Sequence, residues 1–235
     1  WLKGKDRVAF PTHRCFSAPS WANPANTPEA IRLMAANMTE DTYKEEILGE
    51  WLEHDGAVFE RIAEAFVLPF VPVGKMRWRH AKAAPEPDHK YIIGFDIGAH
   101  TDFNIFSVWD LATREQVDLW RVRGEDHDHV LEMLHACKTF WGGATIYADG
   151  NGMGLPIVAR LAKRYGQGVV DRKWTSNALK MNDVTAARLL FQQQDWRFLD
   201  VPWQRAEFQS YTREKRPSGI WAYHAPEGGY DAAVA

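Results

Sequence analysis

The hydrophobic pattern in the middle of the chain has the period of β-strands. Three short segments follow one another, at residues 91–95, 104–109 and 116–122. The first has the composition of a buried strand, and the third alternates between apolar and polar positions. Turn-forming residues such as Thr113 and Arg114 separate the second segment from the third. Three consecutive strands with short connections predict an antiparallel meander.

The pattern then changes to an alternation of helices and strands. Residues 127–141 carry apolar side chains at helical spacing, residues 144–148 form a short apolar run, and residues 155–165 have helical spacing again. The pattern predicts two further helices, near 182–193 and 203–210, and a strand at 220–224. A meander followed by alternating helices and strands predicts an α/β fold with a mixed central sheet flanked by helices.

The first third of the chain has a different organisation. Thr27 and Thr39 are placed to cap two short helices, the second extending to about Leu52, and these cannot bury a large core alone. Residues 83–90, with two prolines, interrupt regular structure. We therefore expect residues 1–85 to form a helical linker or subdomain and residues 86–235 to form the main domain.

Composition excludes several classes of protein. With 46% hydrophobic and 25% charged residues, the chain resembles globular proteins, and it has no apolar run that could cross a bilayer. No secretory leader is expected, because no secretory h-region opens the sequence. The two cysteines, Cys15 and Cys137, match no zinc or redox spacing and are expected to be reduced thiols.

Charge gives no global sign of nucleic-acid binding. The formal net charge is -3, whereas a domain that binds nucleic acid usually has a basic patch or a basic overall charge. A cluster of acidic metal ligands can cancel basic residues elsewhere, and local basic stretches exist. They contain Lys75, Arg77, Arg79, His80, Lys82, Arg160, Lys163, Arg164, Arg172 and Lys173.

Three aspartates follow predicted strands or loops in glycine-rich settings. Asp96 ends the first strand, Asp149 follows the strand at 144–148, and Asp231 follows a Gly-Gly-Tyr segment. In open α/β sheets, ligand-binding groups gather at strand ends. Carboxylates are the ligands that hard ions such as Mg²⁺ and Mn²⁺ prefer, and two such ions can assist hydrolysis of a phosphodiester. The glycines are expected to let a phosphate backbone approach the main chain.

Three longer motifs resemble one family. Gly94-Phe-Asp-Ile-Gly-Ala-His-Thr-Asp-Phe-Asn-Ile-Phe-Ser-Val resembles the first nuclease motif of large terminase subunits, the DNA-packaging proteins of tailed phages. Tyr147-Ala-Asp-Gly-Asn-Gly-Met-Gly resembles their second motif, and residues 219–235 resemble their C-terminal segment. Upstream, Trp21-Ala-Asn-Pro and residues 43–59 resemble the segment that joins motor to nuclease.

The resemblance implies a ribonuclease H-like nuclease that cuts double-stranded DNA during viral genome packaging. It implies Asp96, Asp149 and Asp231 as ligands of two divalent cations, Mg²⁺ or Mn²⁺, with Asp102 as a supporting acid. The expected partners are the small terminase subunit and the portal or procapsid, the expected location is the host cytoplasm, and no membrane is involved. Basic residues on the rim are expected to contact phosphate: Arg77, Arg79, Lys163, Arg164 and Lys180.

The chain departs from the family pattern in two places. The family usually has His-Asp-Asp where this chain has Tyr230-Asp231-Ala232, so the second acid is missing. The chain also has no Gly-x-x-x-x-Gly-Lys-Ser/Thr loop, and therefore no ATPase motor; we expect it to be part of a longer protein. Three alternatives stay open: an ATP-binding domain of the sugar kinase, actin and Hsp70 class, a Holliday-junction resolvase or other ribonuclease H relative, and a nuclease-like module that only grips DNA.

Overall fold

The computed structural model describes residues 17–36, 38–50, 56–98, 102–123, 125–150, 154–172, 177–215 and 221–225. For Asp149, Arg172, Asn177, Ala178, Lys215 and Trp221 it describes the backbone alone. The chain divides into two compact units, residues 1–54 and 55–235. Within the described residues, no helix has the length and apolar character needed to span a bilayer.

The first unit contains a short 3-10 helix, Ser20–Ala22, and two α-helices, α1 (Pro28–Ala35) and α2 (Glu40–Glu46). Both helices begin as predicted, because the hydroxyls of Thr27 and Thr39 accept hydrogen bonds from backbone amides in the first turn. Helix α2 ends earlier than predicted. Gly49 has a φ of +67°, a left-handed conformation that stops the helix and that glycine adopts without strain.

The second unit is built around a seven-stranded mixed sheet in the order β3-β4-β7-β6-β5-β8-β9. The strands are β3 (Phe70–Pro72), β4 (Arg77–His80), β5 (Tyr91–Asp96), β6 (Asn104–Asp110), β7 (Glu115–Val122), β8 (Thr145–Asp149) and β9 (Val169–Arg172). Strands β5, β6 and β7 form the predicted antiparallel meander, and β8 and β9 continue the sheet in parallel with β5.

Helices cover both faces of this sheet. Helices α4 (His127–Phe140) and α5 (Gly154–Tyr165) pack on one face, where side chains such as Ile93, Phe95 and Phe106 form a common core with Leu134 and Val158. We call this the α4/α5 face. The other face, on which Ile92, Gly94 and Asp96 lie, is covered by α6 (Asn177–Gln193) and α7 (Pro202–Ser210). We call it the α6/α7 face.

The remaining elements are short. Strands β1 (Gly56–Ala57), β11 (Thr212–Lys215) and β12 (Trp221–His224) form a small antiparallel sheet, which contains the strand predicted at 220–224. Strand β2 (Phe66–Leu68) pairs in parallel with β10 (Phe198–Leu199), and α3 (Ile62–Ala65) precedes β2. A second core of aromatic rings, including Phe66, Phe191 and Phe208, joins these elements to α6 and α7.

The structure groups residues 55–85 differently from the sequence prediction. Strands β3 and β4 lie in this segment and pair into the seven-stranded sheet, through β4 and β7. The division between the compact units accordingly falls after His54, upstream of the predicted boundary at residues 85 and 86. The linker role of the first unit stays a prediction.

Candidate functional site

Asp96 and Asp149 are the last residues of two neighbouring parallel strands. Phe95 of β5 pairs with Ala148 of β8, and each aspartate comes directly after its paired residue. Adjacent strands lie about 4.8 Å apart, so the two backbones are side by side at the carboxyl edge of the sheet. The Asp96 side chain is half-buried and lines a cavity on the α6/α7 face. This edge of the sheet is the candidate site.

The turn after Asp96 brings a further acid to the same edge. Asp102 precedes β6, and its Oδ1 accepts a hydrogen bond of 2.8 Å from the Phe103 amide. Opposite it, a Cβ placed on Gly98 would overlap the backbone carbonyl of Phe103. Glycine at position 98 is therefore required for the chain at Gly98 to approach the chain at Phe103. This reason differs from the one expected from the sequence, which was the approach of a phosphate backbone.

A carboxylate that the sequence analysis did not single out lies beside the second aspartate's loop. Asp171 is on β9, paired with Ala148, and a Cβ on Gly150 would overlap its carboxylate. Because Gly150 has no side chain, the Asp171 carboxylate can pack against the backbone directly after Asp149. The signal was available in the sequence, since Val169-Val-Asp171 ends a short apolar run in an acid, as the strands before Asp96 and Asp149 do.

The predicted basic residues do not share one surface. Arg77 pairs across the sheet with Trp120, which pairs with Phe106, and so lies on the α4/α5 face. Its Nε donates to the Asp118 carboxylate at 2.9 and 3.1 Å, and its guanidinium lies 4.4 Å from the Trp120 ring centre. These contacts indicate a structural role for Arg77. A DNA contact by this residue stays a prediction.

The other candidates divide between the two faces. The guanidinium of Arg79 lies 5.5 Å from the Phe140 ring of α4, and Lys163 and Arg164 lie in the last turn of α5, where Arg164 pairs with Glu132 at 3.0 Å. All three are therefore associated with the α4/α5 face. Lys180, near the start of α6, belongs to the helix that covers the face of Asp96.

Two arginines that were not predicted lie at the candidate edge. Arg121 pairs with Ile105, which pairs with Asp96, so the three residues form one row on the sheet. The Arg121 guanidinium lies between the Phe103 and Trp203 rings, at 3.8 and 4.3 Å from their centres. The exposed Arg123 follows β7, with its guanidinium 5.0 Å from the same Phe103 ring. Successive side chains of β7 face opposite sides of the sheet, so this row cannot be recognised before the strand register is known.

Arg121 also connects the candidate edge to helix α7. Its Nη2 donates to the Glu207 carboxylate at 3.0 Å, and the Glu207 side chain is 8% exposed. Trp203, which stacks on Arg121, lies one turn earlier on the same helix. The Phe103 ring thereby packs against the Arg121 guanidinium, which Trp203 and Glu207 of α7 hold in place.

Not every predicted ligand falls within the described part of the chain. Asp231 lies outside the described residues, and only the backbone of Asp149 is described. Among the side chains that the structure does describe, no group of three or more His, Cys, Asp and Glu residues is arranged to hold a metal ion. The ligand set Asp96, Asp149 and Asp231 therefore stays a prediction.

Comparison with known proteins gives a consistent result. No family model matches the chain. The large terminase subunit of Thermus virus P23-45 is 29% identical over 151 residues, which are 64% of this chain and 30% of that protein. The chain thus covers less than a third of the length of this curated relative.

Solved structures of phage large terminases resemble this chain. The large terminase nuclease of the thermophilic phage G20c with bound magnesium superposes with a TM-score of 0.70 at 26% identity, covering 76% of this chain and 93% of that one. The same nuclease was solved with cobalt and with zinc bound. The large terminase of bacteriophage D6E, at 14% identity and a TM-score of 0.63, covers 90% of this chain and 52% of its own.

These similarities confirm two predictions. The fold is the ribonuclease H-like α/β fold, with its mixed central sheet flanked by helices. The resemblance to the nuclease domain of phage large terminase subunits, based on motifs alone, is confirmed by relatives in both sequence and structure.

Proposed function

We propose that this chain is the nuclease domain of a DNA-packaging machine, an endonuclease that cuts double-stranded viral DNA with two divalent cations. The observation that carries the proposal is the juxtaposition of Asp96 and Asp149 at the ends of β5 and β8. The likeness to a terminase nuclease with bound magnesium supports the same assignment.

The chemistry of the donor set fits hard divalent ions. Aspartate oxygens bind Mg²⁺ and Mn²⁺ well, and Asp96 and Asp102 both supply such oxygens at the described edge. Asp96 and Asp149, with Asp231, would hold the ions, and Asp102 would support them. When bound, two ions activate the attacking water and stabilise the leaving oxygen of the phosphodiester. The protein's contribution is to fix the carboxylates, and for Asp102 this depends on the close approach of Gly98 to the Phe103 backbone.

DNA reaches the site across the α6/α7 side of the carboxyl edge. Arg123 is exposed there, two strands from Asp96 and so about 10 Å across the sheet. Lys180 lies on the covering helix. Both can neutralise phosphate without reading sequence, which suits a packaging enzyme. Arg79, Lys163 and Arg164, on the α4/α5 side, would contact DNA only along a longer path around the domain, and Arg77 is engaged by Asp118.

The wider setting is also a proposal. In the whole machine the domain would work beside an ATPase motor, with the small terminase subunit and the portal or procapsid as partners, in the host cytoplasm. These assignments follow from the role of large terminase subunits. The sequence similarity behind them covers 30% of the relative's length.

The test is plasmid cleavage by the purified chain. With Mn²⁺ or Mg²⁺, the chain should nick and linearise supercoiled plasmid with little sequence preference. Asp96→Asn and Asp149→Asn should each abolish cutting, because each removes a charged ligand while keeping the shape of the side chain. Asp128→Asn is the matched control, since Asp128 lies on α4 with its side chain 76% exposed. Cleavage at an undiminished rate by Asp96→Asn, or in excess EDTA, would exclude the metal mechanism.

The same protein samples discriminate the alternatives. An ATP-binding domain of the sugar kinase class would bind nucleotide and leave plasmid intact. A Holliday-junction resolvase would cut four-way junctions in preference to linear duplex. A module that only grips DNA would bind plasmid without cutting it, an outcome that Ala232 in place of the family's second acid makes worth testing.

A further inference from the structure

A cavity of about 390 Å³ lies between the sheet and helices α6 and α7. Its floor is formed by the strand residues Ile92, Gly94 and Asp96, and Gly94 contributes no side chain that would fill it. Its volume is within the range of about 300–1,000 Å³ that is typical of small-molecule sites. We call it the α6 cavity.

The walls of the α6 cavity are largely aromatic. Five rings line it, belonging to Trp109, Phe191, Trp196, Phe198 and Phe208. Trp109 meets Phe198 edge-on at 4.7 Å between ring centres, and Phe191 stacks on Phe198 at 5.0 Å. Walls of this kind present both ring faces and ring edges, the two surfaces against which a further planar ring packs favourably.

One polar group in the cavity lacks a partner. Gln204 on α7 lines the cavity with 1% of its surface exposed, and its Oε1 accepts no hydrogen bond from any residue that the structure describes. Gln116, another buried glutamine, is different: its Nε2 donates to Ser107 and its Oε1 accepts from the Leu199 amide. A buried acceptor without a donor carries its full desolvation penalty, so Oε1 of Gln204 is the position at which an occupant would gain most.

We propose that the α6 cavity binds a small planar heteroaromatic molecule of one or two rings, which donates an N–H or O–H to Oε1 of Gln204. The five aromatic rings supply stacking surfaces, the side-chain carbonyl of Gln204 orients the bound molecule, and the cavity volume limits its size. Because Asp96 lines the same cavity, the occupant lies beside the proposed metal ligand. Binding itself does not depend on the proposed nuclease function.

Indole and benzothiophene are matched probes for this proposal. They have nearly the same shape, but only indole has an N–H. Titrated calorimetrically into the full chain, indole should bind about fivefold more tightly than benzothiophene, the usual contribution of one hydrogen bond. Absence of indole binding, or equal affinity for the two probes, would overturn the proposal and leave the cavity to water.

Two variants distinguish the effect of the Gln204 acceptor from the effect of the cavity volume. Gln204→Met removes the acceptor and keeps the volume, so it should bind both probes equally. Ala187→Phe places a ring into the cavity from α6 and should bind neither. Thermal unfolding shows whether each variant is folded, and Gln204→Met should melt no lower than the parent, because it removes an unsatisfied buried acceptor. Persistence of the preference for indole in Gln204→Met would also overturn the proposal.

The heteroaromatic ring could be a free molecule or an unstacked base of a bound strand. Competition distinguishes them: without metal, a single-stranded oligonucleotide that displaces indole, when an abasic strand of equal length does not, identifies a base as the occupant. Failure of both strands to displace indole identifies a free molecule. If the protein binds indole but does not cut DNA, the cavity proposal holds and only the proposed function is excluded.

Discussion

Arg77 of β4 and Asp118 of β7 form an ion pair between neighbouring strands, on the α4/α5 face of the sheet, where neither charge is well solvated. The Asp118 side chain is 0% exposed and that of Arg77 is 15% exposed. Trp141 adds a third donor, with its Nε1 at 2.9 Å from Oδ2 of Asp118. The carboxylate therefore has hydrogen-bond donors on both oxygens, and its charge is balanced inside the core.

Removing Arg77 should destabilise the protein strongly. Arg77→Met leaves the Asp118 charge buried without a counter-charge, and breaking such a pair typically costs about 3–5 kcal/mol. Urea unfolding followed by tryptophan fluorescence measures the loss. Arg164→Met is the control, because the exposed Arg164–Glu132 pair should contribute under about 1 kcal/mol. Unchanged stability with reduced DNA affinity in Arg77→Met would instead support the DNA contact predicted from the sequence.

The turn after Asp96 should tolerate no side chain at Gly98. Gly98→Ala would push its Cβ into the Phe103 carbonyl, and the resulting shift should cost about 1–3 kcal/mol and displace Asp102. We expect lower stability in urea and loss of plasmid cleavage. Gly94→Ala is the matched control, since the nearest atom to its added Cβ, the Ser107 carbonyl oxygen, lies 3.9 Å away. Equal effects of the two substitutions would contradict this account.

Cys137 should be inert in the folded protein. It is 1% exposed, and burial, followed by the Asp118 charge, raises the pKa of its thiol far above the usual range. The folded thiol therefore stays protonated at a pH where the unfolded thiol, with a pKa of about 8.5, ionises. Its contribution to stability is complete below that pH and is lost as the pH rises above it.

The measurement for Cys137 uses a Cys15→Ser background and a thiol reagent at several pH values. Folded protein should react slowly from pH 7 to 9, and protein in urea should react quickly. The urea midpoint should fall between pH 8 and 10. Rapid labelling of the folded protein at neutral pH would show that the thiol is accessible and not buried.

The sequence predicted the elements whose pattern is long and simple. The meander and the helices α4 and α5 have clear periods, and the aspartates that end β5 and β8 are marked by adjacent glycines. The hairpin β3–β4 was missed because prolines interrupt it and because Arg77 and Arg79 break the expected alternation. Those charges are accommodated by Asp118 and by aromatic rings, a tertiary arrangement that no local pattern reveals.

The candidate surface was harder to predict than the fold. Arg79 and Lys163 were predicted from basic stretches and Lys180 from the family resemblance, all as phosphate contacts, yet the strand register and helix packing assign them to different faces. Arg123 was overlooked, since a single arginine after a strand has no distinctive signal. Which side of a sheet a residue occupies depends on pairing in register, and a shift by one residue reverses it.

The last prediction concerns how a chain with a net charge of -3 binds DNA. Phosphate contacts from Lys and Arg dominate affinity for duplex and make it fall as salt rises. Without metal, the carboxylates at the Asp96 edge repel the phosphates. The isolated chain should therefore bind duplex weakly, and more tightly with Ca²⁺, which can neutralise carboxylates without supporting cleavage. Fluorescence anisotropy at several salt concentrations, with and without Ca²⁺, measures both effects.

Two single variants locate the DNA in the same titration. Arg123→Ala should weaken binding in Ca²⁺ and reduce the slope of log affinity against log salt by about 1, the loss of one phosphate contact. Lys163→Ala, on the exposed end of α5, should change the slope less, because α5 packs on the face opposite Asp96. A larger effect of Lys163→Ala would place the duplex on the α4/α5 face. Tight binding that is insensitive to salt in the absence of Ca²⁺ would show that the acidic edge does not repel DNA, and the electrostatic argument would then be wrong.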